Sequence, residues 1–369
     1  MKLTGKLNLS QLLLLLLIIL PMLVSAQSVK DSNRFRLIHS DKLFLTTANQ
    51  ENILELFGNV HFFYGTTEFF SNRALIFDTQ KIARLMGTVR VKNDTLNVTA
   101  DSLSYYRIPN KLDLISNVVI TEQKDSSKVF NRFTSDSGSY DRTNDVISAT
   151  GRVTAFSQSE KARAKCSYAF WDRKTGYGYL LGNPQLWSED NDTLHISSEK
   201  MEFFDADHRM VATFEVKAQS RDYNAFSDFL LYYLKEDKAI FQGEPRFTSG
   251  YADATAEEFY LYFKDRKLYK AELKDTCLVW FSDAKDKPKS NWVKSAFVTL
   301  NLKDDNLRDF HAEGKVTYFY EQKKEGKQDF FSNSAEGDLL DASFQEDGKL
   351  KTIRMKSKVK GIYRFENNP

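Results

Sequence analysis

The side chains with the widest chemical reach are five histidines, His39, His61, His195, His208 and His311. Their spacing offers no metal-binding pair. There is no Gly-x-Ser-x-Gly elbow and no phosphate loop, and Gly176-x-Gly178 alone reads as a turn. The acid pairs Asp205/Asp207 and Asp304/Asp305 stand in turn-like sequence, where aspartate serves the backbone. Cys166 and Cys277 are the only cysteines, which makes no disulfide framework. The sequence therefore offers no catalytic residue, no metal site and no cofactor site, and is not read as an enzyme. What recurs instead is apolar side chains at fixed spacing. Their chemistry is burial, either of one another or of an apolar ligand.

The candidate residues are Leu56, Val60, Phe62, Leu85, Val89, Val91, Leu103, Tyr105, Val118, Ile120, Val153, Met201, Phe203 and Val216. Each sits in one of two short patterns with period two, so each belongs on one face of a β-strand. Leu85–Tyr106 contains both patterns. The first is apolar-x-Gly-x-Val-x-Val, carried by Leu85, Gly87, Val89 and Val91. The second is Ala-Asp-x-apolar-x-aromatic, carried by Ala100, Asp101, Leu103 and Tyr105, and a turn is expected at Lys92–Asp94. Period two places the acid on the same face as the apolar pair, near the strand's start.

Both patterns recur. The second appears at Ser40-Asp41, Ser71-Asn72, Ser135-Asp136, Ser198-Glu199, Ser227-Asp228 and Ala256-Glu257. The glycine slot of the first falls at positions 58, 87, 116, 151, 182, 214, 243, 275, 314 and 357, a repeat of about thirty residues. At 182 and 243 the valine slot holds Pro184 or Pro245. Proline lacks a ladder N–H, so a bulge or edge is expected there. Turn residues at Pro109–Lys111, Thr143–Asp145, Lys174–Gly176, Asp304–Asn306 and Asp347–Lys349 join the strands. Polar inserts at Lys285–Asn291 and Gln322–Gln328 read as loops. His61 alternates against Val60 and Phe62 and is expected to face outward. Stacked repeats also set Cys166 and Cys277 several strand spacings apart, too far for a disulfide, so two free thiols are expected.

Phe (29) and Tyr (17) are abundant and Pro (6) is scarce, which favours strands. Residues 1–26 read as a cleaved secretory signal, with Lys2 and Lys6, the apolar run Leu12–Leu20, and Val24-Ser25-Ala26 before the cut. Removing it leaves acids and bases in balance, unlike a nucleic-acid binder. Residues 27–36 form a polar lead-in. Residues 37–365 form one continuous repeat region, divisible into two consecutive domains near 185–195. The fold class expected is all-β: an open, rolled antiparallel sheet, elongated and solenoid-like, of about ten two-strand units.

The paired patterns behind a secretory signal resemble the OstA-like family, which includes the LptA-type periplasmic lipopolysaccharide-transport protein. The matching residues are Gly58-Asn59-Val60, Gly87-Thr88-Val89, Gly151-Arg152-Val153, Gly314-Lys315-Val316 and the Ala/Ser-Asp strands. The chain is longer than the short bridge protein of that family. The resemblance implies a β-jellyroll open along one side, with acyl chains of lipopolysaccharide or a similar lipid held inside. It also implies a periplasmic location, association with the outer membrane through partners, and pairing of open sheet edges. Those partners would be other OstA-like transport proteins at the inner and outer membranes, or further copies in a head-to-tail homo-oligomer. The alternation alone reads first as a dry core, as in an envelope scaffold or adhesin stalk, because most apolar strand faces are cores; the resemblance favours the lipid-lined groove.

Overall fold

A computed structural model describes residues 35–366, apart from 93–95, 124–129, 159–160, 189–193, 222, 265–266, 283–287, 304–305, 324–329 and 346–349. The expected signal at 1–26 and lead-in residues 27–34 lie outside the described residues. So do the turn residues 93–94, 304–305 and 347–349 and the loop residues 285–287 and 324–328.

Every described element is a strand. They are β1 (Phe35–His39), β2 (Lys42–Ala48), β3 (Glu51–Tyr64), β4 (Thr67–Phe77), β5 (Ile82–Lys92), β6 (Leu96–Tyr106), β7 (Lys111–Gln123), β8 (Phe130–Asp141) and β9 (Val146–Ser157). Next come β10 (Ala162–Asp172), β11 (Tyr177–Leu181), β12 (Gln185–Ser188), β13 (His195–Ser197), β14 (Lys200–Phe204), β15 (Arg209–Gln219), β16 (Tyr223–Tyr233), β17 (Lys238–Gln242) and β18 (Arg246–Ser249). The last are β19 (Ala252–Thr255), β20 (Glu258–Lys264), β21 (Lys267–Phe281), β22 (Asn291–Lys303), β23 (Asn306–Lys323), β24 (Phe330–Phe344), β25 (Leu350–Lys356) and β26 (Lys360–Glu366). The all-β class read from the sequence holds.

The chain packs as two compact units. One comprises residues up to Asp190 together with Lys200–His208; the other comprises Asn191–Glu199 and Arg209–Pro369. In the first unit, β3 to β10 form an antiparallel meander in which each strand pairs with the next. At one end β1 and β2 both pair with β3; at the other, β11 and β12 both pair with β10. In the second unit β21 to β24 run as a meander, and β25 and β26 both pair with β24.

The glycine slot proves to be a corner. At all ten marker positions the slot residue and its successor adopt left-handed backbone, as at Gly58-Asn59 (φ 71° and 44°) and Gly87-Thr88 (74° and 49°). The pair interrupts the ladder between Phe57 and Val60, and between Met86 and Val89. Four slots hold no glycine: Ser116, Phe214, Asp275 and Ser357 adopt the same conformation. Each such residue costs about 1–2 kcal/mol of backbone strain, and packing of the stacked strands must offset it. Where Pro184 or Pro245 follows the corner, the strand splits outright, into β11 and β12 or into β17 and β18. This is the form taken by the interruption that proline foretells.

The corner also corrects one expectation. The acid of the second pattern does not share a face with the apolar pair. Ala100, Leu103 and Tyr105 are buried while Asp101 is exposed. The strand bends between Thr99 and Ser102, so parity inverts there. The small residue, not the acid, points inward: Ser71, Ala100, Ser135, Ser198, Ser227 and Ser295 are all buried. The acid stays outside and serves the neighbouring corner. Asp41 N donates to Gly58 O at 3.0 Å, and Asp228 N to Gly243 O at 3.0 Å. Asn117 Nδ2 donates to Asp101 at 2.8 Å, and Arg152 Nε to Asp136 at 2.8 Å. A methyl group added to Gly58 or Gly151 would strike Asp41 or Asp136, which explains the glycine at those two corners.

At the other end of the strands, the four-residue turns of the first unit hydrogen-bond to one another in a column. Asp78 N donates to Asn52 O, Arg107 N to Lys81 O, Arg142 N to Asn110 O, Arg173 N to Asp145 O and Asp205 N to Gly176 O, at 2.9–3.1 Å. The carbonyl residues Lys81, Asn110, Asp145 and Gly176 are themselves left-handed. Each turn thereby satisfies a polar group that the turn before it would otherwise leave open.

Candidate functional site

Apart from the small residue beside each corner, the inward positions are mostly apolar, and the structure buries them. Leu56, Val60, Phe62, Leu85, Val89, Leu103, Tyr105 and Val118 form one cluster in the first unit, with Val91 and Ile120 half-buried against it. Val153, Met201 and Phe203 are buried elsewhere in that unit, and Val216 is buried in the second. Twelve of the fourteen sequence-derived residues are thus buried and two are partly so. A fully buried Val, Leu or Phe contributes about 1.5–3 kcal/mol relative to leaving it exposed, so this wall also holds the fold together. His61 lies on the outer face, stacked on Phe70 at 4.4 Å and bonded to Glu68 at 2.8 Å.

Among the buried side chains of the first unit lies a partly open cleft of about 20 Å³, lined by Phe35, Phe62, Tyr64, Phe69, Ile76, Ala83, Leu85, Tyr105 and Arg107. Such a space holds about one water molecule. Phe62 stacks on Phe69 at 5.1 Å, and Phe35 of the first strand tilts over Phe62 at 5.1 Å. The wall becomes accessible at the strands that end the sheet. Every residue of β2 is exposed, and Leu43 (50%) and Leu45 (71%) pair with Leu56 and Leu54, so the apolar face continues into solvent. At the other terminus of the described chain, Tyr363 (61%) and Phe365 (68%), paired with Asn333 and Phe331, do the same on β26.

Sequence reasoning missed two features of this interior. One is a tyrosine clamp. Tyr105 donates to Asn110 Oδ1, Tyr140 to Asp145 Oδ1 and Tyr232 to Asp237 Oδ1, at 3.0–3.1 Å, always five residues on. The signal was present as Tyr-x4-Asn/Asp. Burial raises all three phenols above the usual tyrosine range, and at Tyr140 and Tyr232 the adjacent carboxylate adds to it. The other feature is Phe69. It lies two residues before the inward small residue Ser71, so the corner's parity would have found it.

Among the described residues no group of three His, Cys, Asp or Glu side chains could hold a metal ion. Both cysteines are free and buried.

The interrupted ladder, the acid at most corners and the apolar interior together define a repeat that can be compared with known families. Residues 32–153 match the model of the OstA-like protein family. No curated protein matches the chain. The OstA-like segment covers β1 to most of β9, including the whole cluster around Leu56, Val89 and Val118 and the cleft beside Arg107. At the level of the family, the match points to transport of lipopolysaccharide and related lipids.

Proposed function

We propose that this chain is a periplasmic lipid-binding protein. It carries or bridges lipopolysaccharide, or a similar amphiphile, toward the outer membrane by taking acyl chains against its apolar inner wall. The observation that carries this reading is the continuity of that wall from Leu56 and Val89 out to the exposed Leu43 and Leu45. The binding energy is passive, about 0.8 kcal/mol per methylene buried. Because the interior is packed, a chain enters only where neighbouring side chains give way, and the terminal strands have the fewest neighbours to move.

The test is a comparison of faces. Photo-crosslinking side chains at Val89, Val118 and Val153 should capture lipid in cells. The same groups at Arg90, Val119 and Arg152, one residue along, should not. Equal labelling of the two sets would defeat the reading.

A second reading is favoured by the filled interior itself: a structural β-solenoid, an envelope scaffold or stalk, whose apolar wall is only core. The purified protein decides between them. Organic extraction should yield hydroxylated fatty acids if it is a carrier and none if it is a scaffold.

The edges supply the partners in this proposal. β2 offers an exposed strand with apolar side chains, the kind of edge to which another strand adds. Other OstA-like transport proteins, or a second copy of this chain, would pair there. Leu45→Lys places a charge on that strand at a position that is already exposed, so stability should change by less than about 0.5 kcal/mol. Association measured by sedimentation should weaken at least about tenfold, as buried unpaired charge predicts. Unchanged association in this variant would exclude β2 as the docking edge.

A further inference from the structure

Three successive turns of the column carry an arginine at the same place, and they are not equally paired. Arg107, Arg142 and Arg173 each follow an inward aromatic by two residues, namely Tyr105, Tyr140 and Trp171. Each donates its backbone N–H to the left-handed residue of the turn before: Lys81, Asn110 and Asp145 respectively. For Arg173 that residue is an acid, and the pair is closed. Arg173 Nη1 lies 3.1 Å from Asp145 Oδ1, with the arginine side chain only 6% exposed. For Arg107 the same place holds Lys81. The nearest carboxylate, Asp78, is 4.0 Å away and is itself held by Lys81 Nζ at 3.0 Å.

Arg107 is nonetheless drawn in. Its side chain is 17% exposed, one Nη donates to Phe77 O at 3.2 Å, and it lines the apolar cleft with Phe62, Phe69 and Tyr105. A guanidinium in such surroundings needs a close anion; where Arg173 has a carboxylate of its own at 3.1 Å, Arg107 has only a long contact to Asp78, which it shares with Lys81.

We propose that Arg107 receives the acidic headgroup of an acyl lipid whose chain enters the cleft beneath Phe35. The ligand is thereby oriented, with its charge at the turn column and its tail on the wall formed by Phe62, Phe69 and Leu85. This rests on the lipid-binding reading above and adds a site and a polarity to it. The apolar lining selects a chain and excludes a free anion. The weakly paired charge selects an acid over a neutral lipid. β1 is short, pairs with β3, and contributes Phe35, the one cleft residue outside the meander, so it is the wall that yields when the chain enters.

The experiment compares dansyl-undecanoic acid with its methyl ester, read by fluorescence on the intact mature protein. The wild type should bind the acid at least about tenfold more tightly than the ester, the scale of a charge-assisted hydrogen bond. Arg107→Gln should abolish that preference. Lys81→Asp restores the carboxylate that Arg173 possesses. It lies in an exposed turn at a left-handed position that aspartate tolerates, so it should fold as the wild type does. It should abolish the preference as well, because the protein then supplies its own anion. Acid and ester binding equally to the wild type would overturn the proposal and leave the lipid-binding reading standing. So would a preference surviving in Lys81→Asp. Displacement of the dansyl acid by millimolar inorganic phosphate would overturn it too, by showing a site for the anion alone. Failure of both probes to bind would overturn this proposal and count against the lipid-binding reading with it.

Discussion

Gly314→Val should destabilise the second unit by about 2–5 kcal/mol, while Gly138→Ala changes the stability of the first by less than about 1 kcal/mol. Gly314 opens the corner between β23 residues Glu313 and Val316, with φ at 83°. That is the most extreme left-handed angle of the glycine corners, and a β-branched residue adopts it at high cost. A Cβ there would also come 2.7 Å from the Cβ of Ala296, which has no flexible end to swing aside. Strain and overpacking therefore add. Gly138 has an ordinary φ, and the nearest atom to an added Cβ is Ser148 O at 3.5 Å, so alanine fits. It even removes some of the freedom glycine enjoys in the unfolded chain. Urea unfolding followed by circular dichroism measures both. Similar losses in the two variants would mean that the corners are not the rigid points of the repeat.

The two thiols should react with a disulfide reagent about a thousandfold more slowly in the native protein than after denaturation. Burial pushes Cys166 up to about 12, and burial together with the nearby Asp275 carboxylate pushes Cys277 to about 12 as well. The attacking species is the thiolate, and a rise from an ordinary thiol value near 9 removes about three powers of ten of it at neutral pH. Cys277 is also fully buried, with its Sγ hydrogen donated to Ala296 O at 3.2 Å. Denatured without reductant, the protein should titrate two thiols. Finding none would show a disulfide and so break the stacked register. Rapid labelling of the native protein would show that the strands carrying these residues open far more readily than their packing implies.

Much of this structure was legible because β-strands write their faces at period two. Leu56, Val60, Leu85, Val89, Val118 and Val153 are inward because alternation and the glycine slot put them there. The acid's side was misread because alternation was carried straight through Asp101, and strands bend at that point. The sequence announces the bend by glycine at 58 or 87, but not at 214 or 275, where Phe214 and Asp275 take left-handed backbone without any residue preference to betray it. Arg107 was not legible at all. Its significance lies in what is missing beside it, and that depends on Lys81, twenty-six residues earlier, occupying the place that Asp145 holds for Arg173. Such a comparison needs the turns aligned in space.

The turn column gives the first unit a bound side, like the spine of a book. Along the spine, each turn from Asp78 to Asp205 is sewn to the one before by a backbone hydrogen bond. A residue inserted there would shift the left-handed carbonyl out of reach and break two stitches, one above and one below. Whole leaves can therefore be gained or lost by duplicating one strand pair from spine to spine. On this view, chains of very different length can share this architecture, and each added leaf extends the same inner wall.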